Sequence, residues 1–207
     1  MEDIWIMLQR GGIIMIPLIL CSIISLAIII EKIIALRKKK IINSEIVSVI
    51  ENIKSNADID LAVSICEKHK GVFSNIIQIG LNNVEKTREQ VKELFIDQGR
   101  QETRVLERGL GILETIAAIA PLLGLLGTVI GMIKVFNVIS VQGVGQAEAL
   151  SGGISEALIT TVVGLSIGIP TLVFYNYFTD KAEDIILDIE KFSNDLVNRI
   201  GLFKNSD

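Results

Sequence analysis

Three stretches of this chain run long enough without a charged side chain to cross a bilayer, and that limits the fold more than any motif does. Between Arg10 and Glu31 lies GGIIMIPLILCSIISLAIII, about 20 residues that at a helical rise of ~1.5 Å cover a hydrocarbon core of roughly 30 Å. A second run, TIAAIAPLLGLLGTVIGMI, separates Glu114 from Lys134, and a third follows Glu156 to Asp180. Hydrophobic residues make up 50% of the 207 and mean hydropathy is +0.53, more apolar than a soluble domain of this size needs. The expectation is an all-α integral membrane protein with three transmembrane helices, two of them extended into the cytoplasm.

The first run reads as a retained anchor. It is preceded by Glu2 and Asp3 instead of a basic segment, it has full span length, and it ends in a basic cluster. Lys and Arg then give the orientation, because positive flanks stay in the cytoplasm. Arg37, Lys38, Lys39 and Lys40 follow the first run directly, many more basic residues lie before the second, and Lys181, Lys191, Arg199 and Lys204 follow the third. The opposite side carries Arg10 and Lys134. The parts are therefore expected as a short outer N-terminus (1–10), a first span (11–36), a cytoplasmic helical segment (37–110), a second span (111–137), an outer loop (138–147), a third span (148–179) and a cytoplasmic C-terminal helix (180–207).

The net charge of −4, with no basic stripe interleaved with aromatics, points away from nucleic acid. Cys21 and Cys66 fall in a span and in the cytoplasmic segment, where packing or a solvated thiol fits better than a disulfide. His69 reads as a solvated helix end capped by Gly71. No nucleophile with a base, phosphate loop or metal-ligand spacing is present, so neither an enzyme nor a cofactor is expected.

Within the cytoplasmic segment, Ile42, Ile46, Val49 and Ile53 recur at helical spacing, and a second short helix spans Asp58 or Asp60 to Gly71. Val84, Val91, Val105 and Ile112, with Gln98, share a seven-residue register without proline, which predicts one helix running from the cytosol into span two. After span three, Ile185, Ile189, Phe192, Leu196, Ile200 and Phe203 repeat at three or four. Such stripes are either core within the chain or contacts between subunits.

Spans two and three each carry a GxxxG, Gly127 with Gly131 and Gly164 with Gly168, where small residues let helix backbones approach in lipid. The telling residue is Glu156, because a carboxylate inside the membrane costs at least ~2.5 kcal/mol and such residues face a bundle interior or water. If span three starts near Gln146, Glu156 lies about 10 residues in, roughly 15 Å, near mid-bilayer. Thr160 follows about 40° around the helix and Thr161 about 100° further, forming a polar wedge, and span two contributes Thr128. A hydroxyl both donates and accepts, so a threonine is able to relay or orient water, or it bonds its own i−4 carbonyl. Lys134 is expected to snorkel to the outer interface, and Pro17, Pro121 and Pro170 to bend their helices. With no basic partner expected inside the membrane, Glu156 is either protonated or partnered by another chain.

The motifs GLLGTVxG, SEALxTTxxGL and IPxxxxYN occur in order on adjacent spans. With them the chain resembles the MotA/TolQ/ExbB proton channel family, most closely its ExbB and TolQ branches. The resemblance is best over about residues 105–180. It implies a subunit of a bacterial inner-membrane motor, five copies of which surround the membrane helices of a smaller ExbD- or TolR-like partner. Proton flow between the pore and an aspartate of that partner would drive movement passed to a TonB- or TolA-like protein. By position, Glu156 corresponds to the family's membrane glutamate, and Thr128 and Thr161 to its pore-lining threonines. A non-conducting scaffold that docks partners through its cytoplasmic helices is the alternative reading.

Overall fold

Apolar periodicity and capping residues divide the chain into helices, and the computed structural model describes them over residues 11–53, 56–143 and 147–204. Among the described residues these are α1 (Met15–Ala35), α2 (Lys38–Ile41), α3 (Ser44–Asn52), α4 (Asn56–Lys68), α5 (Val72–Asn82), α6 (Arg88–Glu107), α7 (Leu110–Gln142) and α8 (Ala147–Lys204), with no strand. Three segments are long and apolar enough to cross a membrane: Met15–Ala35, Leu110–Val141 and Leu150–Gly201. The protein is therefore an all-α integral membrane protein with three spans. Residues 1–10, expected as the outer N-terminus, lie outside the described residues.

Two boundaries differ from the sequence reading. The helix expected to run continuously into span two is broken twice. Thr87 opens α6 with a reciprocal cap, its Oγ1 accepting from the Gln90 N–H at 3.3 Å while its own N–H donates to Gln90 Oε1 at 3.1 Å. Then Gly109, at φ +88°, takes a left-handed conformation that ends any helix and starts α7 afresh. The seven-residue register does not form one buried face: Val91 is buried, whereas Val105, on the same helix, and Ile112, beyond the break, are exposed. The connection placed at 138–147 is also shorter, since α7 runs to Gln142, where the Gly143 N–H closes it on the Ile139 carbonyl at 2.9 Å.

The chain divides into two units, Met1–Glu31 with Gly109–Tyr177, and Lys32–Arg108 with Phe178–Asp207. In the first, Met15, Leu18, Ile116 and Ala120 form a buried cluster against which Cys21, Leu123, Val163 and Ile167 pack. Pro17 sits in the first turn of α1, where its missing N–H is no loss, and Pro121 and Pro170 lie inside their helices. Only 22%, 33% and 28% of the three apolar windows is buried within the chain, so lipid or other chains must cover the rest.

The second unit has its own core. Ile46 and Ile50 of α3, Phe73 and Ile77 of α5, and Ile185, Ile189, Leu196 and Ile200 of α8 are buried together with Cys66 of α4. The C-terminal stripe is thus core within the chain, although the side chain of Phe203 lies outside the described residues. Phe73 meets Phe192 edge to face at 5.6 Å between centroids. Buried Lys32 donates from Nζ to the Leu106 carbonyl at 2.8 Å, placing a cation at the carbonyl end of α6. Buried Glu102 accepts from Asn75 at 2.8 Å and Gln98 at 2.9 Å. His69 contacts Glu45 at 2.8 Å, and Gly71, extended at φ 168°, precedes α5 as its N-cap instead of closing α4. Burial pushes the Cys66 thiol up to about 11.

Candidate functional site

The site is built on the antiparallel pair formed by α7 and the first part of α8. In an antiparallel hairpin a residue further along one helix meets one further back along the other, as Gly127 with Thr160, Gly131 with Ala157 and Gly124 with Gly164 do here. At this register small residues meet along both helices. A Cβ on Gly127 would strike the Thr160 side chain, and one on Gly131 would strike Ala157. One on Gly164 would strike the Ala120 carbonyl and the Gly124 Cα, and one on Gly168 would strike Pro121. Gly124 and Gly153 belong to the same contact, extending each GxxxG into a longer row at spacings of three and four (Ala120, Gly124, Gly127, Gly131 against Gly153, Ala157, Thr160, Gly164, Gly168). That row was readable in the sequence, but only by counting alanine and Thr160 with the glycines.

This close approach lets threonines reach across. Thr128 of α7 lies 3.1 Å from the Ala157 carbonyl of α8, and Thr161 of α8 lies 3.2 Å from the Gly124 carbonyl of α7. The two hydroxyl oxygens also contact each other. Each hydroxyl has one hydrogen, so the pair commands more acceptors than it has protons and has more than one way to distribute them. Both threonines are half-buried. Thr160 differs: it is fully buried against Gly127, and its hydroxyl lies 2.9 Å from the Ala157 carbonyl and 3.2 Å from that of Glu156, on its own helix. It packs the helix pair and presents no hydroxyl at the surface of this chain.

Glu156 has a partner that the sequence reading denied it. Lys134 Nζ lies 2.6 Å from Glu156 Oε1, because the register that sets Gly131 against Ala157 also brings Lys134 beside Glu156 across the hairpin. Lys134 therefore turns toward α8 instead of only snorkelling outward. The carboxylate also lies against Gly12, where φ is +67° and any Cβ would overlap Oε1. Since Gly12 precedes the first residue of α1 by three positions, Glu156 is level with the start of the first span, not with its middle. The α7–α8 hairpin projects past the start of α1, so a residue nine positions into α8 still lies beside the start of the first span. The threonine pair lies five to six residues further in, about 8–9 Å, within the uncharged runs. No cluster of metal-ligating side chains occurs among the described residues.

A carboxylate paired to lysine at the end of two uncharged runs, with hydroxyls bridging the helices deeper in, marks a polytopic membrane protein that carries polar groups through an apolar layer. The sequence pattern of the MotA/TolQ/ExbB proton channel family matches residues 68–191, more than half the chain, and the chain belongs to that family. It is 32% identical over 186 residues to the biopolymer transport protein ExbB-like 3 of Synechocystis, covering 82% of each chain. It is 37% identical to the biopolymer transport protein ExbB homolog of Methanothermobacter thermautotrophicus over 58% of this chain and 40% of that one. With the biopolymer transport protein ExbB of Aquifex aeolicus it shares 32% identity over 55% of this chain and 76% of the other. The chain thus spans less than half the length of the archaeal relative.

Proposed function

We propose that this chain is the proton-conducting subunit of an ExbB-type motor in a bacterial inner membrane, coupling the proton-motive force to biopolymer transport. The observation that carries this reading is the bridged hydroxyl pair Thr128–Thr161 lying inward of Glu156, within the uncharged runs of α7 and α8. A carboxylate that takes and releases a proton, followed by hydroxyls that redistribute theirs, supplies the first steps of a polar path through an apolar layer. Family membership supports it, as does the large apolar surface that the spans leave for neighbours. In this reading copies of the chain, five by family resemblance, enclose a single-span ExbD- or TolR-like partner, and the work is passed to a TonB- or TolA-like protein. In this reading the N-terminus faces outward and the C-terminus lies in the cytoplasm, which the distribution of Lys and Arg supports.

The test is proton flux into proteoliposomes holding the complex with its single-span partner. Glu156→Ala should abolish flux driven by an imposed potential, and flux at the level of the unsubstituted complex would sink the reading. The scaffold alternative draws on the self-contained core that α8 completes in the second unit. It predicts that Glu156→Gln is silent while truncation after Asp180 abolishes assembly.

A further inference from the structure

We infer that Lys134 is a positioning residue for Glu156: its ammonium group holds the carboxylate in the notch at Gly12, and the lysine must swing away before the carboxylate exchanges a proton. The inference rests on the proposed proton path, in which Lys134 otherwise has no part.

Three features of the site carry it. The 2.6 Å contact is in the range of a charge-assisted hydrogen bond and occupies Oε1. The pair is asymmetric, because the Glu156 side chain is 17% exposed and that of Lys134 is 53% exposed. A four-carbon lysine stem is free to rotate into that open space, whereas the carboxylate is backed by Gly12, which leaves room for it only by lacking a Cβ. The lysine is therefore the movable member. Finally, the surrounding charges leave the lysine in command: among the described residues the Gly12 turn brings no charge, α7 brings Lys134, and the preceding carboxylate along α8 is Glu148, more than two turns away. The hairpin does not need the pair to hold together, since the glycine rows and the threonine bridge bind it further in.

Dicyclohexylcarbodiimide tests this on the full chain in liposomes, because it adds to a protonated, unpaired carboxyl group and the adduct at Glu156 is counted by mass spectrometry of the peptide. Lys134→Met and Lys134→Gln should each be modified at Glu156 at least about tenfold faster than the unsubstituted chain, the factor set by loss of one charge-assisted hydrogen bond. Lys134→Arg should restore the slow rate. The glutamine variant keeps a polar stem of similar length, so the comparison does not depend on how the methionine variant folds. Unchanged labelling in both neutral variants, or an arginine variant labelled as fast as they are, overturns the inference. Faster labelling in a complex whose flux survives Glu156→Ala upholds the positioning role and overturns the proton path. Unchanged labelling in a complex whose flux is lost by Glu156→Ala does the reverse.

Discussion

Thr128 and Thr161 exchange hydrogen bonds across the α7–α8 hairpin, each reaching a backbone carbonyl of the other's helix. Removing either hydroxyl while keeping the side chain's shape separates its role in packing from its role in the path. Thr161→Val should lower proton flux by about tenfold, the effect of ~1.4 kcal/mol in a barrier, and lower stability by only about 0.6 kcal/mol, as for other interhelical bonds in membranes. Thr161→Ser should keep both. Flux and thermal unfolding measured on the same preparations check the pair.

The glycine rows make a sharper stability prediction. At Gly164 a Cβ would meet the Ala120 carbonyl and the Gly124 Cα, backbone atoms with no rotamer to adopt. Gly164→Ala should cost about 1–3 kcal/mol, read as a lower unfolding midpoint. Gly152, with nothing within 4 Å of its Cβ position, is the control, and Gly152→Ala should be neutral or slightly stabilising because alanine favours helix.

Gly12 joins conformation to chemistry. Its φ of +67° disfavours any side chain, and a Cβ would also displace the Glu156 carboxylate. Gly12→Ala should therefore lose flux on the order of tenfold and cost about 1 kcal/mol of stability. Gly71→Ala, at an exposed extended position with open space around it, should do neither.

Cys66 offers a test outside the membrane. Burial pushes its thiol from 9.0 to about 11, so at pH 8 the thiolate fraction in the folded chain is about 100-fold below that of the unfolded chain, and thiol reagents should react correspondingly slowly. Because the folded-state value is the raised one, the associated stability is fully present below pH 9 and is lost as pH rises from 9 toward 11. Reaction with a chromogenic disulfide before and after unfolding measures the first effect, and unfolding midpoints across that pH window measure the second.

The three spans and the small-residue contacts at Gly127, Gly131, Gly164 and Gly168 could be read from the sequence, because uncharged length and small-residue spacing are local signals. Two kinds of information were not local. The break at Gly109 depends on a backbone conformation that a valine register conceals, since Val105 and Ile112 look periodic across a turn that separates them. The Lys134–Glu156 pair depends on hairpin register, and a lysine beside an apolar run suggests snorkelling until that register is known. Thr160 and Thr161 are adjacent letters with different surroundings, one sealed against Gly127 and the other facing Thr128, and only the packed helix pair distinguishes them.

At Gly124 and Gly164 the two backbones touch with no side chain between them. A contact without side chains has no rotamers to yield and no compliant layer to absorb a push, so α7 and the first part of α8 answer a force as one stiff strut. In the proposed motor, a displacement that begins at the Glu156 carboxylate would move the hairpin as a unit and would not be taken up at the helix contact.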